Sequence, residues 1–145
     1  MANERRLLNG SPVAAWMGVE YWLEPDGRIS GSVTLRSTHE GPPNSAHGGL
    51  LVTLVDEAMG MAAWCAGHSV VTANLATNFR SRAPLETPFF ISAWVASTEG
   101  RKIYTAAQIT LADGSIVLDS TGLFIELPQL FADTTTTLRT PRSAP

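Results

Sequence analysis

The sequence predicts an α+β fold in which an antiparallel β-sheet wraps around one long central helix. Three observations carry that reading. Two strand-like segments flank a strong turn signal, Pro25-Asp26-Gly27. One long apolar segment, from about Gly48 to Trp64, runs well past strand length and is studded with the small residues Ala58, Gly60, Ala62 and Ala63. From Val70 to Leu127 the chain is then rich in β-formers, in four segments separated by turn residues.

The 145 residues fit a single domain, and 44% hydrophobic with 16% charged residues is an ordinary globular balance. A formal net charge of -3 argues against a general nucleic-acid-binding surface. The single cysteine, Cys65, has no partner for an internal disulfide, which fits a reducing, cytoplasmic setting. Glu4, Arg5 and Arg6 are followed by no apolar run of the signal-peptide kind. Asp56 and Glu57 interrupt the longest apolar stretch, so it reads as a core helix and not a membrane span.

In chain order, residues 1–11 read as a polar lead and residues 12–127 as the domain. Pro12 to Met17 is one short helix, with Ser11 as N-cap and proline at its first position. Val19 to Glu24 and Arg28 to Leu35 form a hairpin. The second strand alternates, with Ile29, Gly31, Val33 and Leu35 on one face and Ser30, Ser32, Thr34 and Arg36 on the other. Ser37 to Ala46 is a loop stiffened by Pro42 and Pro43. The long helix follows and ends at Gly67. A meander of four strands closes the domain: Val70 to Phe79, Phe89 to Ser97, Arg101 to Leu111 and Ser115 to Leu127. Glu99-Gly100 and Asp113-Gly114 supply turns. Residues 128–145, rich in threonine and proline, read as a flexible tail.

The chemistry concentrates at Ala46-His47-Gly48-Gly49, with Asp56 nine residues after the histidine. A small-residue turn opening a helix leaves backbone N–H groups unpaired, a ready site for the oxyanion of an attacked carbonyl. An acid on the apolar helix is the other half of a hydrolytic site. Gly48 and Asp56 are eight residues apart, so about 12 Å of helix axis separates them. A reacting carbon must lie about 3 Å from both kinds of group. One copy of the helix does not achieve this, whereas two antiparallel copies do. If the two groups act together, the chain is at least a dimer with two-fold-related interface sites. Glu57 points about 100° away from Asp56 and reads as structural or interfacial.

The motif His47-Gly48-Gly49-Leu50-Leu51-Val52-Thr53-Leu54-Val55-Asp56-Glu57, in this strand order, resembles the hotdog-fold acyl-CoA thioesterases of the phenylacetate-pathway (PaaI-like) type. Thr72-Ala73-Asn74-Leu75-Ala76-Thr77-Asn78-Phe79, Ala83-Pro84-Leu85 and Gly100-Arg101-Lys102 support it, and the resemblance covers about residues 12–127. It implies hydrolysis of an acyl-CoA to a free acid and coenzyme A, with no metal or bound cofactor, by a dimer or dimer of dimers. It further implies that the Gly48 N–H polarises the thioester carbonyl. Asp56 of the facing subunit would be nucleophile or general base, His47 would orient the loop or thioester, and Thr72 would lie near the catalytic water. Gly49, Arg80, Arg82, Arg101 and Lys102 are the positions implied for coenzyme A. The sequence departs from the family at Gly41, where many relatives carry asparagine six residues before the motif histidine; the nearest asparagine is Asn44.

Because a thiolate leaves readily, Asp56 attacking directly to give an anhydride and Asp56 deprotonating water are both open on these residues. No G-x-S-x-G signature supports a serine nucleophile. His39, His47 and His68 have no metal-ligand spacing. Trp16, Trp22, Trp64 and Trp94 read as core or interface residues, with Trp64 a candidate for an acyl pocket, and Cys65 as a small buried apolar residue. A non-catalytic acyl-CoA-binding protein is the alternative function, and a hydratase a more distant one.

Overall fold

A computed structural model describes residues 4–127. In chain order its elements are β1 (Arg6–Leu8), α1 (Pro12–Met17), β2 (Glu20–Leu23), β3 (Ile29–Thr34), a 3-10 turn (Ser37–His39), α2 (Gly48–Cys65), β4 (Val70–Phe79), β5 (Pro88–Glu99), β6 (Lys102–Thr110) and β7 (Ile116–Glu126). The strands form one antiparallel sheet in the order β1-β2-β3-β5-β6-β7-β4. The sheet curls around α2, which touches β2 through β7 and lies chiefly across β5 and β6. The expected α+β architecture is therefore present.

Two expectations are corrected. Arg6–Leu8, inside the presumed polar lead, forms a strand on β2, and Leu8 reaches the core. Three residues are too short to show a period, which is why the strand is invisible in sequence. The second correction concerns the meander. Only β5-β6-β7 is a meander; β4 pairs with β7 and forms the far edge of the sheet. Local turn signals say where strands end but not which strands pair. The tail over residues 128–145 lies outside the described residues.

Alternation positions the core as expected. Ile29, Gly31 and Val33 of β3 are buried, as are Ile103, Thr105, Ala107 and Ile109 of β6. They meet Leu51, Leu54, Val55, Ala58 and Met59 of α2. Fully burying a side chain such as Leu54, Val55 or Met59 contributes about 1.5–3 kcal/mol each. The apolar length of α2 is thus used on its own sheet. The helix stops at a cap on Ala66, followed by Gly67 at φ 98°.

Two polar contacts pin α2 in place. The Tyr21 hydroxyl, buried in β2, donates to the Leu54 carbonyl at 3.0 Å. Burial, and then the charges of Glu57 and Asp56, hold the Tyr21 phenol well above its ordinary value, so it stays a donor. Glu57 accepts from the Ser11 N–H at 2.6 Å and from the Ser11 hydroxyl at 2.7 Å. The same Ser11 Oγ caps α1 by accepting from the Ala14 N–H. Glycine at position 10 is what allows this approach, since a Cβ there would stand 2.9 Å from the Glu57 carboxylate. The structural reading of Glu57 follows: it docks α1 onto α2.

Replacing Glu57 with alanine leaves a half-buried N–H without its acceptor. Glu57→Ala is expected to cost about 1.5–3 kcal/mol in urea unfolding, the range for hydrogen bonds to charged groups. Amide exchange should speed up selectively in α1. Unchanged protection at Ala14 and Ala15 would count against this docking role.

Candidate active site at the start of α2

His47 is the N-cap of α2, and its Nδ1 accepts from the Gly49 N–H at 3.0 Å. In the neutral ring the proton therefore sits on Nε2, which is left as a donor at the exposed mouth of the helix. Glycine at 49 gives the ring room, because a Cβ there would lie 3.1 Å from His47 Cε1 and the ring would have to shift by a few tenths of an ångström. The Gly48 N–H, one residue in, has no hydrogen-bond acceptor among the described residues. It belongs to the unpaired first turn, where the helix dipole favours negative charge.

The loop behind this turn is held from three sides. Arg82 donates to Ser45 Oγ at 3.0 Å and to the carbonyls of Pro43 and Asn44. The His47 N–H donates to the His39 carbonyl at 2.8 Å. Gly41 lies so close that a Cβ would come 2.8 Å from His47 Cα. That contact gives the departure at position 41 a physical reason: this loop has no room there for asparagine or any other side chain. Asn44 takes the left-handed conformation (φ 60°), and its N–H donates to Glu40.

Asp56 is half-buried and accepts from Thr72 Oγ1 at 2.8 Å. Thr72 opposes the buried Phe124 of β7, which turns its side chain toward the helix. A bulge between Thr72 and Asn74 follows at once. The extra residue shifts the register so that Leu75 again faces inward opposite Gly122, and such bulges re-aim side chains beside functional groups. The bulge leaves no signal in the sequence. Nor does the sequence show that Phe79, at the other end of β4, meets the start of α2; its ring lies 3.7 Å from where a Gly48 Cβ would be.

The structure therefore joins Thr72 to Asp56, and His47 to Gly48 and Gly49, but leaves the two groups at separate positions along one helix. The inward face of β4 is poorly covered by the chain's own α2, and Phe79 is 55% exposed. Of the four cations considered for coenzyme A, Arg80 is bound to Asp119 through Nε at 2.6 Å and Nη2 at 3.3 Å. Arg82 is engaged in the loop. Arg101 and Lys102 are exposed at the β5–β6 turn with no carboxylate partner among the described residues. Next along β6, Ile103 is buried against the helix side, so Lys102 points to the outer face of the sheet.

The three histidines lie apart in function. His39 is buried with its ring 4.5 Å from that of Trp16, His47 caps α2, and His68 meets Glu126 at 3.0 Å. Burial pushes the Cys65 thiol up, against a smaller opposing effect of Arg6, which fits an inert thiol.

Comparison with known proteins adds an independent line. Residues 44–118 match the family described as the thioesterase superfamily. Acyl-coenzyme A thioesterase THEM4 of Xenopus laevis is 38% identical over 89 residues, which are 61% of this chain and 40% of that protein. Among solved structures, the thioesterase superfamily protein RHA08564 is 36% identical, with a TM-score of 0.72, over 74% of this chain and 53% of that one. The E. coli PaaI protein from the phenylacetic acid degradation operon superposes with a TM-score of 0.75 at 18% identity, over 81% of this chain and 85% of its own. The chain thus spans about two-fifths of its curated relative and about half of RHA08564, while PaaI shares its fold nearly end to end.

The Arg80–Asp119 pair generates a pH prediction. The Arg80 guanidinium, and then Asn78, hold the Asp119 carboxyl below the usual carboxylate range. A depressed carboxylate contributes stability above its unfolded pKa and loses it as pH falls through the folded one. Arg80→Gln is expected to move the Asp119 midpoint up toward the ordinary value in a carboxyl-detected NMR titration. No movement would mean that the pair is not formed in solution.

Proposed function

The chain belongs to the thioesterase superfamily, and on that premise we propose that it hydrolyses the thioester of an acyl-CoA to a free acid and coenzyme A. It acts as a homo-oligomer whose sites take the Gly48 N–H from one subunit and Asp56 from another. One observation carries the proposal. A free N–H at the mouth of α2 and a carboxylate held by Thr72 share a rigid helix at positions about 12 Å apart. The exposed inner face of β4, with Phe79 beside Gly48, supports a second copy lying against this side of the molecule. The name of the frog relative supports the substrate class. Cys65 is half-buried, not fully buried as its apolar neighbours suggest, and its raised thiol supports a reducing, cytoplasmic site of action.

The chemistry balances without a metal. Thr72 donates to Asp56 Oδ1, which leaves Oδ2 to hold a water against the thioester carbon. Asp56 takes a proton from that water as its oxygen attacks, and the carbonyl electrons move onto oxygen. The Gly48 N–H and the helix dipole hold that oxyanion. Collapse re-forms the carbonyl, breaks the C–S bond and expels the thiolate. The thiolate takes that proton back from Asp56, which restores the carboxylate, and the acid is released. His47 acts by capping the turn that aims the Gly48 N–H.

The test is thiol release from a panel of aliphatic and aromatic acyl-CoAs. Asp56→Ala is expected to lower kcat by about 10²–10⁴, the range for a general base. Gly48→Pro removes the N–H at a helix position where proline is tolerated and should lower kcat by about 10²–10³. The two variants mixed as subunits should regain about a quarter of wild-type turnover, since half the random dimers then hold one intact site of two. Mixing that restores nothing would overturn the shared site. Tight acyl-CoA binding without thiol release would favour a binding protein.

A further inference from the structure

We propose that a cavity on the outer face of the sheet binds a nucleotide, with the base against Trp16 and Phe90 and the phosphates on Arg36. The cavity, of about 570 Å³, lies between α1, β2, β3, the start of β5 and the 3-10 turn. Its size falls in the range of small-molecule sites. None of the residues given a role in hydrolysis lines it.

Four features select the ligand. Trp16 and Phe90 both line the cavity and are 54% and 43% exposed, two large rings left in water on one concavity. Aromatic faces of this kind stack planar bases. Arg36 is an exposed wall residue with no carboxylate partner among the described residues. Arg5 and Arg28, by contrast, lie over Trp22 and Trp94, and Arg80 and Arg82 are bound as above. Beside Ser32 on the same wall, Glu20 has no cationic partner among the described residues and can accept from a ring amino group. Glu20 opposes Ser32, and Arg36 lies four residues further along extended chain, so about 13 Å of backbone separates the two positions. That is the reach of a nucleoside diphosphate from base amine to terminal phosphate.

The fourth feature is His39, a wall residue only 5% exposed. Its Nδ1 accepts from the Arg36 N–H at 3.0 Å, so the neutral ring carries its proton on Nε2. That Nε2 has no hydrogen-bond partner among the described residues. A buried donor without an acceptor is rare; Nε2 is itself closed off from solvent, so a ligand acceptor reaches it only when a wall side chain moves aside.

An adenine nucleotide has this chemistry from either of two sources: a free nucleotide, or the nucleotide end of coenzyme A, the latter resting on the hydrolase reading above. The first experiment titrates the full chain with ADP by calorimetry and tryptophan fluorescence. Saturable binding is expected, weakened at least tenfold by Arg36→Gln and by Phe90→Ser, with the thermal midpoint of each variant unchanged. ADP that does not bind, or binds both variants as it binds wild type, overturns the proposal. So does a change of sedimenting mass in Phe90→Ser, which would make this face a contact between copies. The source is then read from kinetics. A KM raised by Arg36→Gln for acyl-CoA but not for acyl-pantetheine assigns the site to the coenzyme. A KM unmoved for both, with ADP binding lost, assigns it to a free nucleotide. ADP binding needs no turnover, so it stands or falls separately from hydrolysis.

Discussion

A helix does not bend to bring its own residues together. Eight residues of α2 keep the Gly48 N–H and the Asp56 carboxylate about 12 Å apart, whatever else the chain does. Neither group has a complementary partner within the same subunit at reacting distance. The surrounding structure serves this constraint. It holds α2 firmly on one side, leaves its first turn open to solvent, and leaves the inner face of β4 with little of its own chain against it.

The acidic pair on α2 shows how closely spaced residues divide their tasks. Glu57 is used entirely on Ser11, where its carboxylate docks α1. Asp56, one residue earlier and about 100° around the helix, has one hydroxyl partner, on Oδ1, among the described residues. Buried Tyr21 donates to the Leu54 carbonyl between the open turn and the acid, so β2 restrains the helix in between. The loop that aims the first turn is restrained independently by Arg82, by the His39 carbonyl, and by the pressure of Gly41 on His47.

Charge on the described surface follows a similar economy. Most arginines are committed, to a carboxylate, to loop carbonyls or to an indole face. Arg36 stands out because it lines a concavity with no carboxylate against it, next to a histidine whose second nitrogen is unsatisfied. The backbone of the same turn links it to the start of α2, since the His39 carbonyl accepts from the His47 N–H.

Local sequence pattern determined most of the scaffold: the alternation of β3 and β6, the Ser-Pro cap that starts α1, and the apolar length of α2 up to Gly67, within a residue. These features are legible because each depends on neighbours close in sequence. The same holds for the Gly48–Asp56 separation, which is helix geometry and nothing more. Strand pairing was not legible. The place of β4 beside β7, and the addition of Arg6–Leu8 to β2, are settled by which surfaces the curled sheet must close. The partnership of Thr72 with Asp56, the bulge at Ala73 and the service of Glu57 to Ser11 likewise join residues 16 to 46 positions apart. Only tertiary structure decided them, because no local pattern records which distant side chain will meet which.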